Sequence, residues 1–377
     1  MRILHISDID LSVRGGGMNT IIPELLTEQQ KENPEVDIEL LLVNNSQPNY
    51  PVIFKIWYYT NHNECITQIS KADLMIFHSV YNLKFIHIYQ LAMHYKIPYI
   101  IVSHGAFSPE TQQKGKLKKL LYRKLFLNKF VKNSLALSFL CIDEQKRSIY
   151  SWKRHIIVPN VIQISPTRID NNTTINSDTI HITYMSKISF RYKGLEMMLK
   201  ALASIKDELN NINLVINIYG YGESKTIDMN NIPKSEHDIH KLLNAIKFLQ
   251  LENKVFYHGP VFGEAKSVAI NQSDIMILPS MSEGMPLTVI EFLACGIPCI
   301  VTHNTNMGSL ITDNNAGWVC KFDQNDMASA ILQAIKSYNM QKNILKQNAR
   351  KAFEKVNSIN IGKTSIEAYR NLLSNQE

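Results

Sequence analysis

The feature that most constrains the fold is a regular alternation of short apolar runs with longer amphipathic segments. In the first half, the runs RILHI, IELLLV, DLMIF and YIIVS are separated by segments long enough for a helix, the first at 18–31. Parallel strands need a long crossover between them, which is usually a helix. The pattern therefore predicts an α/β domain built on a doubly wound parallel sheet.

The alternation restarts after a polar stretch at 163–179 that is rich in Asn and Thr and has no periodicity. Beyond it lie the runs IHITYMS, LVINIYG, KVFYHG, DIMILPS and IPCIVT, with helices predicted at 194–208 and 236–251. At 377 residues the chain exceeds what one core usually supports. A second doubly wound domain is therefore expected after a linker.

We predict an N-terminal Rossmann-like domain at 1–162, the linker at 163–179 and a C-terminal Rossmann-like domain at 180–350. A helical segment at 351–377 is a candidate to pack back on the first domain. In such sheets, ligands bind at the carboxyl ends of the strands. The candidate loops around the expected cleft then contain Gly15 to Gly17, His104, Lys187, Gly220 to Gly222 and Ser280 to Glu283.

Composition limits the compartment and the partners. No stretch reaches the roughly 18 to 20 apolar residues of a membrane span, and the beginning of the sequence resembles a first strand more than a signal peptide. The five cysteines show no CxxC spacing, so a reducing cytoplasm is expected. The net charge of +7 is modest, and no nucleic-acid-binding motif accompanies it.

The positive charge is concentrated at 114–132, in KGKLKKLLYRKLFLNKFVK. Basic residues alternate there with Leu, Phe and Val in a pattern typical of an amphipathic helix. One interpretation is a helix that rests on an anionic membrane surface. The alternative is an ordinary domain helix with a solvated basic face.

The stretch SEGMPLTVIEFLACGIPCI at 282–300 places two glutamates in an otherwise apolar segment. Pro286 favours a helix start, Gly296 favours its end, and Pro298 prevents continuation. Glu283 is then expected in the loop before the helix and Glu291 inside it. Even on one helix, residues eight apart lie about 12 Å from each other. The two carboxylates therefore suit different parts of one extended ligand, and the helix start suits an anion.

In its full context, DIMILPSMSEGMPLTVIEFLACGIPCIVT resembles the signature of the family 4 retaining glycosyltransferases, which have the GT-B fold and an E-x7-E motif. The resemblance extends to the glycine loop at 15–17, SHG at 103–105, VPN at 158–160, Lys-Gly at 193–194 and GYG at 220–222. The stretch SHGAFSPETQQKGKLKKLLYRKLF is similar to members that build bacterial surface polysaccharides. GT-B implies two Rossmann-like domains with a cleft between them.

The resemblance implies a transfer of sugar from a nucleotide diphosphate sugar, with a UDP- or GDP-sugar as donor and no metal or other cofactor. Catalytic roles are implied for Glu283, His104 and Lys193, with Glu283 holding the donor sugar and Glu291 the ribose. The loop of Gly15, Gly16 and Gly17 would approach phosphate or acceptor. The implied donor-binding residues are Lys187, Arg191, Lys193, Gly220, Gly284, Met285, Pro286, Leu287 and Glu291.

The acceptor implied is a growing glycan or polyprenyl-linked glycan of capsule, O-antigen or exopolysaccharide synthesis, and nucleic acid is not an expected partner. The enzyme is expected in the cytoplasm, with peripheral contact at the inner membrane face through 114–132 as the open alternative. Two other functions remain: a nucleotide-sugar epimerase of GT-B shape, and a catalytically silent glycan-binding scaffold. The intact set of Glu283, Glu291, Lys187 and Lys193 argues against the scaffold.

Overall fold

The computed structural model describes residues 1–12, 17–60, 62–113, 115–162 and 178–375. The chain divides into two compact units, the first made of Met1–Ile162 with Ile359–Glu377 and the second of Gln163–Ser358. The expected linker at 163–179 lies almost wholly outside the described residues.

The described part of the first unit contains one parallel sheet in the order β3-β2-β1-β4-β5-β6-β7. This is the strand order of a doubly wound fold. Its strands are β1 (Arg2–Ser7), β2 (Asp37–Leu42), β3 (Lys55–Tyr58), β4 (Leu74–His78), β5 (Tyr99–Val102), β6 (Ala136–Phe139) and β7 (His155–Ile157).

The central strands of this sheet are buried on both faces. This is expected of a parallel sheet with helices packed on each side. The helices before the second unit are α1 (Met18–Glu32), α2 (His62–Ser70), α3 (Lys84–His94), α4 (Pro109–Gln113), α5 (Lys116–Tyr122), α6 (Asn128–Asn133) and α7 (Ile142–Arg147). A π-helical turn at Arg123–Leu127 joins α5 to α6. The basic segment is therefore helical, as its pattern predicts, but three consecutive pieces replace one regular helix, and Lys114 lies outside the described residues.

The second unit has a parallel sheet in the order β10-β9-β8-β11-β12-β13. Its strands are β8 (Ile180–Met185), β9 (Leu214–Tyr219), β10 (Val255–Gly259), β11 (Ile275–Leu278), β12 (Cys299–Thr302) and β13 (Gly317–Cys320). Its helices are α8 (Leu195–Ser204), α9 (Lys206–Asn210), α10 (His237–Phe248), α11 (Gly263–Asn271), α12 (Leu287–Ala294), α13 (Gly308–Asp313) and α14 (Gln324–Asn357), with a 3₁₀ turn at His303–Thr305. The prediction of two doubly wound α/β domains is confirmed.

The last helix, α15 (Ile361–Ser374), belongs to the first unit and packs on α1. A Cβ atom added at Gly362 would lie 2.4 Å from the carbonyl oxygen of Glu28, so the two helices touch at backbone distance. The side chains of Gln29 on α1 and of Asn33, which caps the end of α1, hydrogen-bond to α15 at 2.9 and 3.0 Å. The structure places the division between the units after Ser358 and not at the expected 350/351, because α14 continues to Asn357.

Candidate functional site

Glu283 is the centre of a compact polar cluster at the carboxyl end of β11. Its Oε1 atom accepts hydrogen bonds from Lys193 Nζ at 2.5 Å and from Ser280 Oγ at 2.7 Å. The side chains of Glu283 and Lys193 are only 13% and 25% exposed. Because the pair is largely shielded from water, their attraction is stronger than that of a surface ion pair.

The backbone around Glu283 is fixed by the loop that follows β12. Glu283 N–H donates to the Asn304 carbonyl at 3.1 Å, and the Asn306 side chain donates to the carbonyl oxygens of Glu283 and Gly284 at 2.7 and 3.1 Å. Two neighbouring strand ends thus hold the carboxylate in place. Such support from outside the site is what keeps a binding group in one geometry.

Lys193 reaches Glu283 because its own loop lies directly against β11. Gly194 has a φ of +73°, and a Cβ there would lie 1.8 Å from the Pro279 carbonyl oxygen. The backbone carbonyl of Tyr192 accepts a hydrogen bond from Met281 N–H at 2.9 Å. Only glycine permits this approach, which explains the Lys-Gly pair in physical terms.

Glu291 lies on α12, in a second ion pair. Lys266 Nζ on α11 contacts Glu291 Oε1 at 2.5 Å, and both side chains are partly buried. The helix starts at Leu287, one residue after Pro286, and Gly296 follows it with a φ of +76°. The first turn of α12 contains no acidic residue. The positive end of the helix dipole is therefore not neutralised by a carboxylate within that turn.

Lys187 and Arg191 share the β8–α8 loop with Lys193, whereas Gly220 follows β9. Lys187 is exposed and pairs loosely with Glu223, at 3.8 Å, and Arg191 is exposed in the loop that leads to Lys193. A Cβ at Gly220 would lie 1.9 Å from the Ser186 carbonyl oxygen. The structure therefore joins Lys193 to Glu283 directly, whereas Lys187 contacts neither candidate glutamate.

In the first unit, His104 is the outer member of a chain of three histidines. His5 Nδ1 lies 2.9 Å from His78 Nε2, and His78 Nδ1 lies 3.1 Å from His104 Nε2. His5 is on β1, His78 ends β4, and His104 follows β5, so adjacent strands bring them together.

Burial decides the charge of these rings. It lowers the pKa of His5 to about 3 and that of His104 to about 4, and together with the neighbouring rings it lowers the pKa of His78 well below its usual value. Desolvation disfavours the imidazolium form. The three rings are therefore neutral at physiological pH.

Glu144 supports the loop that carries His104. Its Oε1 accepts from Ser103 Oγ at 2.5 Å and from Gly105 N–H at 2.6 Å, and its Oε2 accepts from Leu140 N–H at 2.6 Å. His104 itself has a φ of +46°, which is uncommon for a residue with a side chain. The buried carboxylate thus fixes the residues on both sides of a conformationally constrained histidine.

Sequence reasoning missed Glu144, Lys266, His5 and His78. His5 lies inside an apolar strand and His78 ends one, and a polar residue in such a buried position was a signal of a buried hydrogen bond. Gly15 and Gly16 lie outside the described residues. Gly17 has a φ of +60° with no atom within 4 Å of an added Cβ, so backbone conformation accounts for that glycine.

Within the described residues, no group of three or more His, Cys, Asp or Glu side chains is arranged to hold a metal ion. No helix in that part of the chain is both long and apolar enough to cross a membrane.

Comparison with known proteins finds a family similarity for most of the second unit. Residues 166–352 match the family described as "Glycosyl transferases group 1". The matched segment contains Lys187, Lys193, Glu283 and Glu291 and ends within α14.

Curated relatives match only part of the chain. The N-acetyl-alpha-D-glucosaminyl L-malate synthase of Bacillus anthracis is 28% identical over 118 residues, which are 31% of this chain and 30% of that protein. The UDP-Gal:alpha-D-GlcNAc-diphosphoundecaprenol alpha-1,3-galactosyltransferase of Escherichia coli is 33% identical over 95 residues, 25% of this chain and 24% of that protein. The chain thus spans about a third or less of the length of these two relatives.

Likeness in fold extends further than likeness in sequence. The structure of Anabaena Alr3699/HepE in complex with UDP has a TM-score of 0.70 and 16% identity, covering 98% of this chain and 100% of that one. The likeness in fold therefore covers both units, and not only the segment at 166–352, and their two parallel-sheet Rossmann-like domains match GT-B structures.

Proposed function

We propose that this protein is a retaining glycosyltransferase of family 4, which moves a sugar from a nucleotide diphosphate sugar to a glycan or lipid-linked acceptor. The observation that carries the proposal is the Lys193–Glu283–Ser280 cluster at the carboxyl end of β11, inside the matched domain. A carboxylate fixed on one oxygen by a lysine and a serine keeps its second oxygen for another partner. Sugar hydroxyls are suitable partners, because a carboxylate accepts up to about four hydrogen bonds.

The leaving nucleotide diphosphate gains negative charge as the glycosidic bond breaks. Lys193, Lys187 and Arg191 supply positive charge from the single loop between β8 and α8, and the start of α12 supplies oriented backbone amides. Lys187 offers a point charge where an arginine would offer a planar fork. We propose that these groups stabilise the leaving group without a metal ion.

We propose that the anomeric configuration is retained because the acceptor attacks the same face of the sugar from which the leaving group departs. The acceptor hydroxyl forms the new bond to the anomeric carbon, the bond to the diphosphate oxygen breaks, and that oxygen takes the hydroxyl proton. Glu283 is already paired with Lys193, so it is assigned to hold the donor sugar and not to act as a nucleophile. His104 is assigned to face the donor sugar, and Glu291 to accept the ribose hydroxyls.

The proposed donor is a UDP- or GDP-sugar, and UDP is favoured because the HepE structure of the same fold was determined with UDP. The proposed acceptor is a polyprenyl-linked glycan of surface polysaccharide synthesis, since the galactosyltransferase relative acts on a diphosphoundecaprenol-linked sugar by its name. The proposed location is the cytoplasmic face of the cell membrane.

The first unit has a surface suited to an anionic membrane. Leu117, Leu121 and Leu125 are 82%, 59% and 75% exposed along α5 and the π-helical turn. Exposed lysines, among them Lys118 and Lys124, flank these leucines. Apolar side chains that enter the interface and lysines that meet anionic head groups are the two components of peripheral binding. We call Leu117, Leu121 and Leu125 the leucine face.

The transferase is tested by binding and by turnover. UDP, GDP, ADP and their sugars are screened by calorimetry with and without a chelator, and transfer to a polyprenyl-linked acceptor is then followed with the donor that binds. Glu283→Gln is expected to lower turnover at least a hundredfold, as loss of one positioned polar group in an active site does. Glu196→Gln is the matched control, because it removes a lysine-paired carboxylate at 2.8 Å on the surface of the same unit.

Several results would overturn the proposal. Undiminished transfer by Glu283→Gln would refute the role of the carboxylate, and binding that needs a divalent cation would refute the metal-independent mechanism. Isomerisation of a free UDP-sugar without acceptor would identify an epimerase. Failure to bind any nucleotide diphosphate would favour a silent glycan-binding scaffold.

Membrane contact is tested by flotation with phosphatidylglycerol vesicles and with phosphatidylcholine vesicles. The unaltered protein is expected to float with the anionic vesicles alone. Replacing the leucine face by three glutamines is expected to abolish flotation. The matched control replaces exposed Leu83 on the same unit, which is 72% exposed and outside the basic segment. Equal flotation of all three proteins would contradict the membrane assignment.

A further inference from the structure

Ser138 places a buried hydroxyl on the inner face of the first sheet. The residue lies on β6 and is 1% exposed, and its Oγ atom has no hydrogen-bond partner among the described residues. Ala136, two positions earlier on β6, belongs to the core cluster that also contains residues of α1 and α15. Side chains two apart on a strand point to the same face. Ser138 therefore points towards the layer formed by α1 and α15.

Tyr369 provides a second hydroxyl of this kind. Its side chain is fully buried on α15 in the same core cluster, and its hydroxyl oxygen also has no partner within the part of the chain that the structure describes. A hydroxyl has one proton to donate and can accept as well. Burying one without a partner costs free energy, and native structures contain few such groups. Two in one layer of a core therefore point to a partner that both can share.

Ser138 and Tyr369 line the same small cavity. It has a volume of about 10 Å³ and lies where β5, β6 and β7 end. The other described residues that line it are His104, Asn160 and apolar residues of α1 and of the strand ends. A buried water needs about 10 to 15 Å³ and two to four polar partners. The cavity therefore has the size for one water molecule.

We propose that this cavity binds one ordered water molecule, which bridges Ser138 Oγ and the Tyr369 hydroxyl and so joins α15 to the sheet. Water suits the site because it can donate to one hydroxyl and accept from the other. An ion does not, because burial keeps His104 neutral, with a pKa of about 4, and the other described walls are uncharged and mostly apolar. This inference goes beyond the proposed function and is independent of it, since neither hydroxyl has a role in transfer.

Gln29 is the competing partner for Tyr369. Its Nε2 donates to Ser365, which lies four residues before Tyr369 on α15 and therefore on the same face of that helix. Gln29 Oε1 is buried without a partner among the described residues, and Gln29 is not one of those that line the cavity. A bond from Tyr369 to Gln29 would satisfy both of their atoms and leave Ser138 unsatisfied. The two arrangements therefore predict different behaviour of Ser138.

A double-mutant cycle of Ser138→Ala and Tyr369→Phe in the full-length protein distinguishes them. Urea unfolding gives the folding equilibrium constant of each variant. We expect each single substitution to lower that constant about two- to tenfold, the effect of one net hydrogen bond. We expect the double variant to lose clearly less than the product of the two factors, because the first substitution already removes the bridge.

Two outcomes of the cycle would overturn the proposal. If both hydroxyls lack any partner, each substitution removes a buried unsatisfied group, so both variants become more stable and their effects multiply. If Tyr369 bonds to Gln29 instead, Tyr369→Phe is destabilised, Ser138→Ala is not, and the two substitutions show no coupling.

Tyr99→Phe is the matched control in the same unit. It also removes a buried tyrosine hydroxyl, which donates to the Phe130 carbonyl oxygen at 2.6 Å. We expect its effect to multiply with that of Ser138→Ala. Coupling as large as that of Tyr369→Phe would show that the cycle measures a general change in core packing, and the proposal would fail.

A crystal structure of the unaltered full-length protein tests the site directly. We expect density for one water within about 2.5 to 3.0 Å of both hydroxyl oxygens. The same density should be absent from the double variant. A dry cavity, or two hydroxyls bonded to protein atoms, would overturn the proposal. This structure also decides the matter if Tyr369→Phe does not fold.

Discussion

Gly194→Ala tests how closely the Lys193 loop must approach β11. Two costs arise from the structure. An alanine at a φ of +73° pays about 1 to 2 kcal/mol for the left-handed backbone. Its Cβ would also lie 1.8 Å from the Pro279 carbonyl oxygen, so the loop must move, and such overpacking costs a further 1 to 3 kcal/mol or so.

A small gain opposes these costs, because alanine restricts the unfolded chain by about 0.4 to 1 kcal/mol. We therefore expect the free energy of unfolding to fall by about 1 to 4.6 kcal/mol in Gly194→Ala. Movement of the loop also withdraws Lys193 from Glu283, so transfer should fall more than stability alone explains.

The matched control is Gly263→Ala in the same unit. Gly263 also has a positive φ, +54°, but nothing lies within 4 Å of its added Cβ. Urea unfolding of both variants measures the stability of the same unit. Equal dependence of the unfolding free energy on urea concentration would show that the two values can be compared. If Gly194→Ala is destabilised no more than Gly263→Ala, the close contact with Pro279 does not constrain the loop and the reasoning fails.

Three further outcomes are expected. Glu144→Gln should cost about 1 to 3 kcal/mol in unfolding free energy, because the amide turns one carboxylate acceptor into a donor facing a buried N–H; unchanged urea unfolding would contradict this. The free energy of unfolding should be constant above pH 6.5 and should fall towards pH 4 by about 1.4 kcal/mol per pH unit for each buried histidine. The reason is that the unfolded chain binds protons that folded His104 and His5 do not bind. Urea unfolding curves that do not change between about pH 6.5 and pH 4 would contradict this prediction. Glu291→Ala should weaken nucleotide diphosphate binding about ten- to a hundredfold by calorimetry, since hydrogen bonds to a charged group contribute about 1.5 to 3 kcal/mol. Lys266→Met, which keeps the carboxylate, should weaken it less, and the reverse order would refute the assignment.

Much of the fold was predictable because the longest strands are mostly apolar. β1, β2, β8 and β9 each have six residues, and their runs stand out between amphipathic helices. β6 and β7 are only four and three residues long, and β3 lies at a sheet edge with a polar start. β5 and β11 are as short as β6 but wholly apolar, so their runs were recognisable. β3, β6 and β7 each include a polar residue, so their own sequence carried too little signal.

The candidate site was predictable to a different degree. The motif drew attention to Glu283 and to Lys193, which lie 90 residues apart and are in contact in the structure. The residues that support them were not predictable, because Lys266, Glu144 and His78 contribute through partners distant in sequence. Hydrogen bonds across neighbouring strand ends depend on register, which no local pattern specifies.

The return of α15 to α1 makes the first domain discontinuous in sequence. During synthesis, the second domain has all of its residues while the face of α1 that carries Gln29 still lacks its partner helix. The second domain is therefore free to fold first, and the first domain completes only after Ile361–Ser374 has left the ribosome. A truncation intended to trim the carboxyl terminus would be, in folding terms, a deletion from the amino-terminal domain.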